Sequence, residues 1–262
     1  MNLGKSLVVC LSLTTASAAD AAQWLVQSGD VQVNWSSLSA QFSGVANSQP
    51  ADREGLKGLE RTAWRNGYEK AGTLLEPLMR DQFGKASGGS GQPEAGTVSG
   101  AVDEVRKSVK SLNATFFANG SVEVAMEASL RSGFAAALRH SGAGAKPAAA
   151  GNSESDSTGL LIKVPAAAQP SVAFWLVDSS GKVLFEPAML SQEGVSQGSM
   201  GRWFRSPGKE EVARITGEKP DTLVVSEVRQ GNRFVVDSQQ FAQLGAGALR
   251  ALADGNALVS GR

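Results

Sequence analysis

Ser111-Leu112-Asn113-Ala114-Thr115-Phe116-Phe117-Ala118-Asn119-Gly120-Ser121-Val122-Glu123-Val124-Ala125-Met126-Glu127-Ala128-Ser129-Leu130 is the stretch that decides the fold. Its second half alternates strictly: Val122, Val124, Met126, Ala128 and Leu130 fall on one side, and Ser121, Glu123, Ala125, Glu127 and Ser129 on the other. Side chains in a strand point alternately to opposite faces, so one face of this strand is buried and the other is wet. Asn119-Gly120 between the two runs predicts a hairpin with a type I′ turn, in which both central residues have positive φ.

Working back from the hairpin, Val31, Val33 and Trp35 alternate with Gln32 and Asn34. A serine turn at Ser36-Ser37 leads to Phe42 and Val45, giving an earlier hairpin. Between the two hairpins, Leu56, Leu59, Ala63, Gly67, Ala71, Leu74, Leu75 and Leu78 recur at spacings of three and four, flanked by Trp64 and Tyr68. That spacing lines one helix face. Ala63, Gly67 and Ala71 would let the helix lie close on a sheet, Asp52 is the expected N-cap, and Glu76-Pro77 should end or kink it. Lys85 to Gly100 reads as a mobile Gly/Ser loop. A second helix then carries Val102, Val105, Val109 and Leu112 inward. Residues 20–138 are thus expected to form a ββααββ-type α+β unit, with helices packed on one face of an antiparallel sheet.

Residues 139–157, dominated by Gly, Ala and Ser, are the expected linker. Residues 158–262 read as a second, strand-rich α+β unit. Gly159–Val164 opens it, Val172–Val177 meets Val183–Phe185 across Ser180-Gly181, and Thr222–Val228 meets Phe234–Val236 across Gln230-Gly231-Asn232. Asp237 or Ser238 should cap a last helix carrying Phe241, Leu244, Ala248 and Leu252.

The N-terminus speaks to location. Lys5, the apolar run Ser6–Leu13 and Ala16-Ser17-Ala18 have the charge, apolar stretch and small-residue pattern of a secretory signal peptide over residues 1–19. The run is too short to span a bilayer. The sole cysteine, Cys10, lies inside that run, so cleavage near Ala18 would leave a chain without thiol or disulfide. Periplasmic or outer-membrane-associated residence follows. The 25 basic and 25 acidic residues balance, which removes the global field that draws nucleic acid.

Chemistry is sparse. His140 is the single histidine, whereas a metal site needs several converging ligands. Gly194-Val195-Ser196-Gln197-Gly198 matches the G-x-S-x-G elbow, but no histidine follows Ser196 and no convincing strand precedes it. Phosphate-binding and dinucleotide glycine motifs are missing from the sequence. No catalytic residue, metal or cofactor is expected. Arg202-Trp203-Phe204-Arg205 sets two large aromatics between two guanidinium groups before Pro207, the composition of an interface anchor. These four are the candidate interface; the competing reading has Trp203 or Phe204 plugging the second core.

Three segments resemble the Lpp-twenty-like family of bacterial envelope lipoproteins, which includes FlgP- and FlgT-type flagellar proteins. The first is the hairpin Phe116 to Val124. The second is Thr158-Gly159-Leu160-Leu161-Ile162 followed by Pro170 and Leu176-Val177-Asp178-Ser179-Ser180-Gly181-Lys182-Val183. The third is Ala213-Arg214-Ile215-Thr216-Gly217-Glu218-Lys219-Pro220. The chain departs from the family pattern at Phe185, where tyrosine is usual, and at Lys163, where an acid is common. The resemblance implies a non-enzymatic envelope assembly protein that self-associates or joins envelope or flagellar partners, such as the flagellar outer rings. The alternative is a periplasmic binding module for a small ligand or glycan, with Trp35, Trp64, Trp175 or Trp203 gathered in one cleft.

Overall fold

A computed structural model describes residues 23–47, 55–88, 93–145 and 156–261. The leader, Cys10, Asp52 and most of the 139–157 segment therefore lie outside the described residues. The fold is mixed α+β, with seven helices and two sheets among those residues.

The first sheet has the order β1-β2-β3-β5-β4 and is antiparallel throughout. Its strands are β1 (Leu25–Ser28), β2 (Val31–Asn34), β3 (Ser39–Asn47), β4 (Lys110–Phe116) and β5 (Ser121–Ser129). β1 was not evident from the sequence. The alternation in β5 holds: Val122, Val124, Met126 and Ala128 are buried, as is Leu130 just past its end. The turn differs from the expected type. Asn119 keeps a negative φ and only Gly120 is left-handed, at +82°. The Phe117 N–H reaches the Ser121 carbonyl and the Gly120 N–H the Phe117 carbonyl, which makes a three-residue loop ending in a glycine bulge. The Asn119 side chain explains the choice, because its Oδ1 accepts from the Ser121 N–H and hydroxyl.

Three helices cover the inner face: α1 (Gly55–Ala86), α2 (Ala95–Arg106) and α3 (Arg131–His140). α1 runs through Pro77 rather than ending there. Pro77 is exposed, so the carbonyl it leaves unpaired can face water, while Leu75, Met79 and Phe83 carry the buried stripe past it. The expected loop over 85–100 shrinks accordingly: α1 reaches Ala86 and α2 begins at Ala95. Leu56 and Leu112, expected inside, are exposed. The small-residue face does what its composition predicts. A Cβ on Gly44 of β3 would lie 2.1 Å from the Ala63 carbonyl oxygen and 2.4 Å from the Gly67 nitrogen, so helix and strand meet backbone to backbone.

The second sheet has seven strands in the order β8-β7-β11-β10-β6-β12-β9 and is mixed. β6 (Gly159–Val164), β7 (Trp175–Val177), β8 (Val183–Phe185), β10 (Pro220–Arg229) and β11 (Arg233–Val236) match the expected strands, with β7/β8 and β10/β11 antiparallel. Two parallel strands were not foreseen: β9 (Gly201–Phe204) and β12 (Ala257–Gly261). Its helices are α4 (Gln192–Gln197), α5 (Lys209–Thr216), α6 (Ser238–Ala242) and α7 (Ala246–Ala253). The expected last helix is thus two, α6 and α7, broken before Gly245. Asp237 caps α6 by accepting from Gln239 and Gln240 N–H groups. One continuous hydrophobic core contains residues from both sheets and their helices.

Candidate functional site

The candidate interface Arg202-Trp203-Phe204-Arg205 lies on and just past the edge strand β9, not in an exposed loop. Alternation sends Trp203 to one face of the sheet and Arg202 and Phe204 to the other. Trp203 is fully buried. Its indole N–H donates to the Ser171 carbonyl at 2.9 Å, and its ring meets Trp24 edge-on at 5.5 Å and Phe234 at 6.1 Å. Phe204 packs with Leu258 beneath Val212 and Ile215 of α5. The two aromatics therefore fill the interior, because a two-sided sheet edge offers each a covered face. Arg205 is exposed, its guanidinium 5.5 Å from the centre of the Trp24 ring.

β9 is also where the two sheets meet. Gln23 forms an antiparallel bridge to Phe204. The Ser36 hydroxyl, in the turn between β2 and β3, donates to the Trp203 carbonyl and accepts from the Trp24 N–H. On the far side of the core, buried Gln82 of α1 accepts from the Val172 N–H at 3.1 Å. Sequence reasoning missed Ser36 and Gln82, since their partners are 90 or more residues away for the key contacts.

Arg202 is half-buried. Burial first, and then the positive charges of Arg131 and Arg214, push its guanidinium below its ordinary value, though an arginine remains protonated.

The tryptophans are not gathered in one cleft. Trp35 is buried and stacked on Phe134, Trp64 stacks on Tyr68, Trp175 covers Gly88, and Trp203 sits in the seam. A cleft of about 480 Å³ beside α5 is lined by Leu161, Pro207, Val212, Ala213 and Pro220. A second, of about 470 Å³, lies over β3 beside the exposed Asp30–Lys70 pair at 2.6 Å. Hydrogen bonding from Lys70 and its charge hold the Asp30 carboxyl below its ordinary range.

Ser196 belongs to the short helix α4, donating to the Glu193 carbonyl, with a 3₁₀ turn (Pro187–Met189) rather than a strand upstream. His140 is exposed at the end of α3, near the Phe83 ring. Among the described residues no group of three or more His, Cys, Asp or Glu could hold a metal ion, and no helix is long and apolar enough to cross a membrane.

The edge strand β4 is exposed along nearly its whole length. It presents Leu112 (49% exposed) and Phe116 (47%), with Phe117 (43%) at the hairpin tip. No protein-family model matches the chain, and no curated protein matches it in sequence.

Proposed function

We propose that the chain is an exported, non-enzymatic structural protein of the bacterial envelope that self-associates through the open edge of its first sheet. The observation that carries this reading is β4. A seven-residue edge strand presents unpaired backbone N–H and C=O groups, a ready template for another strand. The other outer strands, β1 and β8, are four and three residues long, and β9 is bridged by Gln23. The exposed Leu112, Phe116 and Phe117 add apolar surface beside that template.

The occupant we favour is a second copy. Antiparallel pairing of two β4 strands about Asn113 generates a closed two-fold. The resemblance to the Lpp-twenty-like family supports an envelope setting, with the flagellar outer rings or the outer membrane as partners. The dispersed tryptophans weigh against an aromatic-lined glycan site.

Light scattering on the purified protein across a range of concentrations tests the reading. A discrete oligomer that reverts to monomer in the double variant Phe116→Ser, Phe117→Ser is expected. A monomer at every concentration, or an oligomer indifferent to those substitutions, overturns assembly through β4.

A further inference from the structure

α5 lies on the face of the second sheet turned away from the common core. Its Val212 and Ile215 pack on Phe204 and Leu258, which form a cluster apart from that core. Leu161 of the neighbouring strand β6 is the register partner of Leu258 and shares its face, but it is only partly covered. Beside it opens the cleft of about 480 Å³ that runs along α5. Small-molecule sites have volumes of about 300–1,000 Å³, an apolar lining and a few placed polar groups.

The charged groups of this cleft are two, and their signs are opposite. Lys209, the first residue of α5, stands at one end, and Glu218, two residues past its last, stands at the other. Leu161, Val212, Pro207 and Pro220 make the surface between these ends apolar. A helix rises about 1.5 Å per residue, so the eight residues of α5 set the two charges about 12 Å apart. Neither side chain is engaged in an ion pair or hydrogen bond among the described residues. What distinguishes them from other free surface charges is that one apolar cleft holds both. Its Glu218 end is also preformed. Gly217 is left-handed at φ +79°, and the Thr158 hydroxyl ties both sides of it, donating to the Thr216 carbonyl and accepting from the Lys219 N–H.

We propose that this cleft binds a short apolar peptide with free termini, its carboxylate at Lys209 and its ammonium at Glu218. An extended chain advances about 3.3 Å per residue, so about four residues span the two charges. Apolar side chains of the peptide cover Leu161 and Val212, while the open side of the cleft leaves its N–H and C=O groups in water, where they need no buried partner. A fatty acid carries one charge and leaves Glu218 unused. The site is separate from β4 and does not depend on assembly through it.

Isothermal titration calorimetry of the purified protein with the peptide alanyl-leucyl-leucyl-alanine tests the proposal. Saturable binding of the free peptide is expected. Amidating its C-terminus or acetylating its N-terminus should each weaken binding by about two- to fivefold, the strength of an exposed ion pair. Lys209→Gln should remove the amidation penalty and keep the acetylation penalty, and Glu218→Gln should do the reverse. Val212→Asp, which sets a charge in the apolar wall, should abolish binding. Both glutamine variants change exposed side chains, which keeps the test decisive should Val212→Asp fail to fold. Octanoate, an anion with no ammonium, should bind more weakly than the peptide and be indifferent to Glu218→Gln. The proposal fails if the free peptide does not bind, or if the capping penalties are absent or survive in the matching variants. It fails equally if folded Val212→Asp binds as the wild type does, or if octanoate binds as tightly as the peptide.

Discussion

Gly44 shows how a single residue can set the distance between layers. A methyl group there would have to occupy space already held by the Ala63 carbonyl and the Gly67 backbone, and backbone cannot swing aside as a side chain can. Gly67 is constrained from the other direction, since its Cβ would lie 2.8 Å from the Met126 sulfur. Gly44→Ala should therefore destabilise the protein by about 3 kcal/mol through overpacking, read as a lower midpoint in chemical denaturation. An unchanged midpoint would mean that α1 can lift off β3 at little cost. The helix half of this contact was legible in the sequence, because Ala63, Gly67 and Ala71 share one face. The strand half was not: a glycine in a strand signals close approach in general, but not to which partner. Ser36 is a stronger case. As a turn serine it looked ordinary, yet it accepts from Trp24 and donates to Trp203, a residue 167 positions away.

At the scale of elements, periodicity revealed what one-sided burial produces and hid what two-sided burial erases. β5 was plain because one face meets helices and the other water. β9 and β12 were invisible because Gly201–Phe204 and Ala257–Gly261 are short parallel strands covered on both sides, leaving no alternation to detect. α1 carries a testable imperfection. Pro77 sits inside a 32-residue helix, where it removes one backbone hydrogen bond. Because the residue is exposed and its neighbours Leu75 and Met79 already pack well, Pro77→Ala should stabilise the protein by about 1–3 kcal/mol, raising the thermal midpoint. A lower midpoint would show that the local geometry at Pro77 is needed for packing. The β4–β5 pair has its own pH signature. Glu127 is held below its ordinary carboxylate range, chiefly by the hydrogen bond from Lys110, with Gln41 and Ser39 adding to it against the opposing effect of burial. A carboxyl lowered in the folded state contributes stability that is present above its unfolded pKa and is lost as pH falls through the folded one. Glu127→Gln should thus cost less than about 1 kcal/mol at neutral pH, because Lys110 is well exposed, and the difference from wild type should vanish in acid. A gap that persists in acid strong enough to protonate the carboxyl in both the folded and the unfolded state would assign the loss to packing rather than charge.

Across the whole molecule, the question is whether two sheets separated by a Gly/Ala/Ser segment behave as two folding units or one. Composition suggested a linker, and the first two residues of that segment turn out to extend α3. The contacts between the sheets favour coupling. Trp24 from the first sheet's approach meets Trp203 of β9, Gln23 bridges Phe204, Ser36 ties both strands' backbones, and Gln82 satisfies the Val172 N–H on the other side of a common core. Each polar link is buried or nearly so, and breaking the seam would leave those groups unpaired as well as exposing Trp203. Equilibrium unfolding is therefore expected to be a single transition, with tryptophan fluorescence and far-UV ellipticity coincident. Ser36→Ala strips a partner from two backbone groups at once and should lower the stability of that single transition by about 2 kcal/mol, or about 4–8 °C. Two resolved transitions in the wild type would instead mean that each sheet with its own helices is self-sufficient. In that case Ser36→Ala would move only the first sheet's transition, through the Trp24 N–H that it leaves unpaired, because a seam that adds no stability cannot transmit the loss to the transition that reports on Trp203.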